Sequence, residues 1–257
     1  MKKDRTILVT NDDGINAPGL KALIDVAKDF GELFLIAPDS PQSGKGHAIS
    51  VHEPIYVSQV EISDVKTAYK SSGTPADCVK LALNKLMDCS PDICLAGINH
   101  GSNSSISVIY SGTMGAAIEA GIDGIPAIGF SLLDWSQEAE LETAKIYVRK
   151  ILETIFDNDI PQNTLLNVNI PVADLAEING IKICRQAKGR WIEEFETKHD
   201  ENNNEYYWLT GFYQNKDDEA DTDEHMLERN YVTIVPVQFD MTDYKALEDL
   251  KNLNFES

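Results

Sequence analysis

Short apolar runs alternate with amphipathic segments through the first two-thirds of the chain. Ile7-Leu8-Val9, flanked by threonines, predicts a buried strand over Thr6–Thr10 that ends in a turn. Leu20, Leu23, Ile24, Ala27 and Phe30 recur at helical spacing, with Pro18 near the start and Gly31 just past the end. Residues 33–36 read as a second strand, stopped by Ala37-Pro38-Asp39-Ser40-Pro41. A polar loop runs on to about His47, and strands are expected near 49–51 and 55–60. Thr74-Pro75-Ala76-Asp77 opens a helix, since Thr74 can cap it and Pro75 suits the first helical position. Residues 93–96 predict a third strand before a Gly/Asn/Ser-rich loop, 112–120 a helix and 127–130 a fourth strand. A longer helix follows over 134–156, and Leu165–Ile170 is the fifth strand.

Such alternation, with near-continuous apolar strands, predicts a mostly parallel sheet covered on both faces. Ligands of these sheets bind beyond the carboxyl ends of the strands, so the loops after the first three strands are where chemistry is expected. From Trp191 onward the pattern changes: seven of the 20 aromatic residues fall within 191–213, with few aliphatics. This predicts an extended hairpin that packs on something else. A strand candidate at 231–237 and a short helix after Met241 close the chain. The α/β core is therefore assigned to 1–190 and the extension to 191–257, returning to the core so that the whole is a single domain.

Charge narrows the function. The formal net charge is −20, and 18 acidic against 5 basic residues lie from Trp191 to the end. That surface repels phosphate backbones, which argues against a nucleic-acid duplex or an anionic membrane surface as partner. A small anionic substrate then needs a local device that reverses the field. No run approaches 18 apolar residues, and the basic Met1-Lys2-Lys3-Asp4-Arg5 is followed by an apolar run too short for a signal peptide. Cys78, Cys89, Cys94 and Cys184 have neither zinc spacing nor the density of a disulfide framework, so a cytoplasmic protein with reduced thiols is expected.

Three loops carry candidate chemistry. Thr10-Asn11-Asp12-Asp13-Gly14 places two carboxylates in the turn after the first strand, where they need a cation or a shared proton, although Asp-Gly alone also makes turns. Ser43-Gly44-Lys45-Gly46 offers a hydroxyl and free backbone N–H groups, without the pattern of a Walker A loop. Gly97-Ile98-Asn99-His100-Gly101-Ser102-Asn103 adds a carboxamide oxygen; for His100, a local hydrogen bond is the expected role. Beyond it, Ser111-Gly112-Thr113 opens a helix whose N-terminus can cradle phosphate or simply be a capped helix end. Carboxylates, hydroxyl and carboxamide are all oxygen donors, a magnesium- or manganese-type set that suits metal-assisted phosphate-ester hydrolysis. No G-x-S-x-G elbow and no G-x-G-x-x-G fingerprint is present, which disfavours a triad hydrolase and a nicotinamide-dependent oxidoreductase. A nucleotide-binding sensor without turnover is the competing class; it would have no need of the oxygen ligand set.

Taken in order, these motifs resemble those of the SurE (survival protein E) nucleotidases. The resemblance runs from Ile7 to Gly14 and Ala17-Pro18-Gly19, through Gly73 to Val79, Gly97-Ile98-Asn99 and Tyr110-Ser111-Gly112-Thr113, to Leu166 to Pro171. It implies a Rossmann-like three-layer α/β/α fold and hydrolysis of nucleoside 5′- and 3′-monophosphates by a metal-activated water, with short polyphosphate a further substrate in some members. It implies one divalent ion per subunit, Mg²⁺ or Mn²⁺, on Asp12, Asp13, Ser43 and Asn99, with Asp12 and Asp13 the catalytic carboxylates. Ser111, Gly112 and Thr113 would contact phosphate, with Asn11, Gly44 and Asn103 as further substrate contacts. A homodimer or homotetramer with exchanged C-terminal segments is implied too. The chain departs from the family pattern at 104–109 and over most of 191–228, where only Tyr207-Trp208 and Thr222-Asp223 persist.

Overall fold

Alternation along the first strand sorts its side chains into two separate cores. In β1 (Thr6–Thr10), Ile7 and Val9 enter the layer formed by α1 (Pro18–Ala27) and α4 (Glu142–Asp157). Leu8 enters the opposite layer, under α2 (Pro75–Leu81) and α3 (Gly112–Ile122). The molecule is described here by a computed structural model covering residues 5–158, 160–253 and 255; the basic residues 1–4 and the last part of the C-terminal extension (254, 256 and 257) lie outside the described residues.

β1 is central, paired in parallel with β2 (Glu32–Pro38) on one side and β5 (Ile93–His100) on the other. The sheet then extends outward through β4 (Thr67–Ser71) to β3 (Val57–Val60), and through β6 (Ala127–Leu132), β7 (Leu165–Ile170) and β11 (Val232–Val237) to β8 (Ile181–Ile183). Its nine strands run in the order β3-β4-β2-β1-β5-β6-β7-β11-β8. β3 pairs antiparallel with β4, and β11 antiparallel with β7, while β8 is parallel to β11. The expected mostly parallel sheet with helices on both faces is thus present. Strand order reverses between β1 and β5, and that crevice is where such sheets bind ligands.

Two expected elements are corrected. Residues 49–51 form no strand, because the Ser50 N–H donates to the Asp77 carboxylate at 3.1 and 3.2 Å, leaving Ile49 and Val51 exposed. Asp77 does this while completing the capping box with Thr74 that starts α2. The helix expected from Asp134 begins only at Glu142: Asp134 and Ser136 accept hydrogen bonds from the N–H groups of Ser136 and Glu138, fixing turns instead. β5 runs past the expected Ala96 to His100, with a bulge between Ala96 and Asn99 against β6.

The aromatic stretch forms the hairpin β9 (Arg190–His199) and β10 (Glu205–Gln214). Phe195, Tyr207, Trp208, Leu209 and Phe212 on it are all exposed. After α5 (Asp223–Leu227) and β11, the helix α6 (Tyr244–Lys251) buries no residue at all. Among the described residues no helix is long and apolar enough to cross a membrane.

Candidate active site

The turn after β1 is fixed by Asn11, whose carboxamide donates to the Gly14 carbonyl at 2.9 Å and accepts from the Gly14 N–H at 3.2 Å. The loop after β2 is tied to this turn by the Gln42 N–H, which donates to the Asp12 carbonyl at 2.7 Å. The bulge in β5 re-aims Asn99, and its Nδ2 donates to the Gly101 carbonyl at 2.8 Å, so the carboxamide oxygen is left over. These three loops and the start of α3 enclose a cavity of about 240 Å³. Of the expected residues, Asp12, Ser43, Gly44, Asn99, Asn103 and Ser111 line it. Asn11, Asp13, Gly112 and Thr113 stand behind or beside that lining. A larger cavity of about 660 Å³ adjoins across Ser111, but its walls, among them Val108, Ile118 and Val235, include no carboxylate.

Asp12 is 3% exposed, and its Oδ1 accepts a hydrogen bond from the Thr113 hydroxyl at 2.5 Å. Burial pushes its pKa up from 3.8 to about 6; the Thr113 hydrogen bond works the other way, and the Asp13 charge adds to the rise. Gly112 is what lets α3 come so close, since a Cβ there would lie 2.8 Å from the Asp12 Cβ and 2.9 Å from its Oδ2. Asp13 accepts from the His100 backbone N–H at 3.2 Å, and its Oδ2 lies 3.3 Å from the His100 Nδ1. His100 itself is buried, so the histidine nearest the site packs against one of its two carboxylates. At α3 the Ser111 hydroxyl accepts the Met114 N–H at 3.0 Å, capping the helix beside the cavity.

Several supporting residues carried no functional reading in the sequence. Asn103 is clamped by a buried amide network: its N–H donates to Asn169 Oδ1 at 2.9 Å and its Nδ2 to Ser131 Oγ at 2.8 Å, while Asn167 Nδ2 donates to its carbonyl at 2.8 Å. Two asparagines inside an otherwise apolar strand were the signal available. From the C-terminal extension, Asp223 accepts the N–H groups of Ser105 and Ala187 at 2.8 and 2.9 Å, and Glu224 takes the Ser104 hydroxyl. The persisting Thr222-Asp223 pair thus fastens the loop that follows Asn103. Tyr110, Trp135 and Trp191 complete the cavity wall.

With this geometry in place, comparison with known proteins is decisive. The family model described as "Survival protein SurE" matches residues 7–193. The chain belongs to the SurE family. Among SurE relatives, one from Christiangramia forsetii named 5′-nucleotidase SurE is 53% identical over 98% of this chain and 97% of its own length. Another of that name from Flavobacterium psychrophilum is 51% identical over 96% of each chain. The crystal structure of a SurE protein from Aquifex aeolicus superposes with a TM-score of 0.81 at 35% identity, covering 96% of this chain and 98% of the other. The resemblance read from the strand-end motifs is therefore a family membership.

Proposed function

We propose that this protein is a phosphomonoesterase that releases phosphate from nucleoside 5′-monophosphates, and also from 3′-monophosphates, with the aid of one divalent cation per subunit. The observation that carries the reading is the convergence of Asp12, Ser43 and Asn99 with the N-terminus of α3 in one cavity at the switch point of the sheet. The names of the relatives, 5′-nucleotidase SurE, support the 5′-monophosphate part of it.

The residues fit a hard cation. Asp12 is held as an anion only at a cost, and a neighbouring positive charge would remove that cost. Asn99 presents a spare carboxamide oxygen and Ser43 a hydroxyl, and Asp13, just behind the lining, keeps the carboxylate oxygen Oδ1 that His100 does not take. Among the described residues no three His, Cys, Asp or Glu side chains gather as a metal-holding group, so the protein donors are few. Mg²⁺ and Mn²⁺ tolerate this because Mg²⁺ keeps several of its waters, whereas a zinc site would use nitrogen or sulfur ligands. When bound, the cation supplies Lewis-acid polarisation of the phosphoryl oxygens and lowers the pKa of a water.

The rest is done by the chain itself. The first N–H groups of α3 and the Ser111 hydroxyl meet the phosphate, and the positive end of the helix offsets an otherwise acidic protein. Thr113 holds the Asp12 carboxylate in one orientation, and the amide network behind Asn103 prevents the third loop from shifting. We assign the outer part of the hairpin and α6 to contacts between subunits of a homodimer or homotetramer, since Phe195, Tyr207, Trp208 and Leu209 on the one and Leu247 and Leu250 on the other are exposed within one chain.

The test is phosphate release from a panel of nucleoside 5′- and 3′-monophosphates in EDTA, Mg²⁺ or Mn²⁺. Release that EDTA abolishes and a divalent ion restores is expected, and D13N should lose it while keeping its fold and oligomer size. No release with any metal would overturn the assignment.

A further inference from the structure

The cavity is graded from a buried polar floor to an exposed aromatic rim. Asp12 and Ser111 are 3% and 6% exposed, whereas Tyr110 and Trp135 at the rim are 49% and 71% exposed. At about 240 Å³ it is smaller than the roughly 300 Å³ at which small-molecule clefts begin, so a ligand whose phosphate reaches the floor projects past the rim.

Trp135 differs from the other rim residues in how it is held. A Cβ on Gly101 would lie 2.6 Å from its Cε3, 2.6 Å from Cζ3 and 2.8 Å from Cη2. Three atoms of the six-membered ring at nearly one distance mean that the ring lies face-on over the Gly101 backbone. Gly101 has φ of +112°, so the absence of a side chain is required there twice, by conformation and by the ring above it. One face of Trp135 is thus braced by the main chain of the loop that carries Asn99 and Asn103, and its high exposure leaves the opposite face open. Trp191 is placed otherwise: its ring packs edge-on against Tyr213 with centroids 5.8 Å apart, and its Nε1 donates to Ser107 Oγ at 3.4 Å.

We propose that the open face of Trp135 is the platform on which the nucleobase of the substrate stacks. This rests on the phosphomonoesterase reading above and adds which part of the substrate is recognised and by what. A braced ring loses little freedom on binding, and stacking accepts any base because every base has a π-face. One open face and no assigned hydrogen-bond code predict broad acceptance, with purines held more tightly than pyrimidines because they overlap the indole more.

The experiment compares wild type, W135A, W135F and W191F in two ways. Adenosine binding is measured by calorimetry, which requires no turnover, and phosphate release is measured from AMP and from ribose 5-phosphate. W135A is expected to weaken adenosine binding and raise the KM for AMP by roughly ten- to a hundredfold, the range that loss of one base–aromatic stack produces. Its kcat for AMP and its kcat/KM for ribose 5-phosphate should stay within about twofold of wild type, because the phosphate end is untouched. W135F should recover part of the loss, and W191F should weaken adenosine binding less than W135A does. Unchanged adenosine binding in W135A overturns the proposal. So does an equal loss on AMP and ribose 5-phosphate, which would make Trp135 a structural residue, and so does a larger loss of adenosine in W191F. Wild type that binds adenosine through Trp135 but releases no phosphate would fail the hydrolytic reading while leaving the platform intact.

Discussion

Asp12 links the stability of the protein to the chemistry proposed for it in a way that can be measured. In the metal-free protein its pKa stands at about 6 against 3.8 for an unburied aspartate, mainly because burial penalises the charge. The folded state therefore binds a proton more tightly than the unfolded state, and stability falls as pH rises through the window from about 4 to about 6. A shift of about two units corresponds to about 3 kcal/mol once both states are ionised. D12N removes the titration. Whatever the amide costs in packing or lost hydrogen bonding is independent of pH, so it cancels from the pH dependence of the difference. In EDTA, the stability of D12N minus that of wild type should therefore rise by about 2 kcal/mol between pH 4 and pH 8, short of the full amount because the unfolded carboxyl is already more than half ionised at pH 4. The assay is urea unfolding followed by tryptophan fluorescence at fixed protein concentration, at four or five pH values. Mg²⁺ at pH 8 should then stabilise wild type and not D12N. A difference that is flat across the window, or that falls with pH, would refute the reasoning.

Three other outcomes follow from particular contacts. G112A places a Cβ against the Asp12 side chain and should cost about 1–3 kcal/mol of stability with a fall in kcat, read by unfolding and steady-state kinetics on the same preparation. Glu119 is buried on α3 and joins His47, at 2.7 Å, and Lys80, at 2.5 Å, so that it anchors the end of the Ser43 loop. Because both partners are partly exposed and can re-solvate, E119A should cost only about 1–2 kcal/mol, yet raise the divalent-ion concentration needed for half-maximal activity. Burial pushes the thiols of Cys78 and Cys94 up to about 12 and that of Cys184 to about 11, while Cys89 is exposed. Ellman's reagent should accordingly titrate one thiol quickly in the native protein and four in urea; a second fast thiol would contradict the packing.

Local physics was enough for the elements whose residues agree at every level. Ile7-Leu8-Val9 between threonines, the Thr74–Asp77 capping box and the six-residue run Leu165–Ile170 each became the element their pattern predicts. The three strand-end loops were legible because a parallel sheet places such loops together and because oxygen donors recur in each. Where side chains compete for backbone partners, the pattern misleads. Ser50 gives its N–H to a carboxylate 27 residues away, so its apolar neighbours make no strand. The turns of Asp134 and Ser136 delay a helix that periodicity alone would start eight residues earlier.

The sequence by itself determined the layered parallel architecture, the edge of the candidate site and the kinds of donor gathered there, because periodicity, caps and turn chemistry act over a few residues. Only the tertiary structure decided which of those donors face the cavity and which are spent behind it. Asn11 is consumed by its turn, Thr113 by Asp12, and one of the two Asp13 oxygens by His100, while Asn99 keeps an oxygen free. It alone showed that Asn167 and Asn169 brace Asn103, that Asp223 reaches back to the loop after it, and that Trp135 lies flat on Gly101. Such contacts join residues up to 118 positions apart, and no local preference encodes them. They follow from the burial of polar groups that must find partners wherever the folded chain brings them.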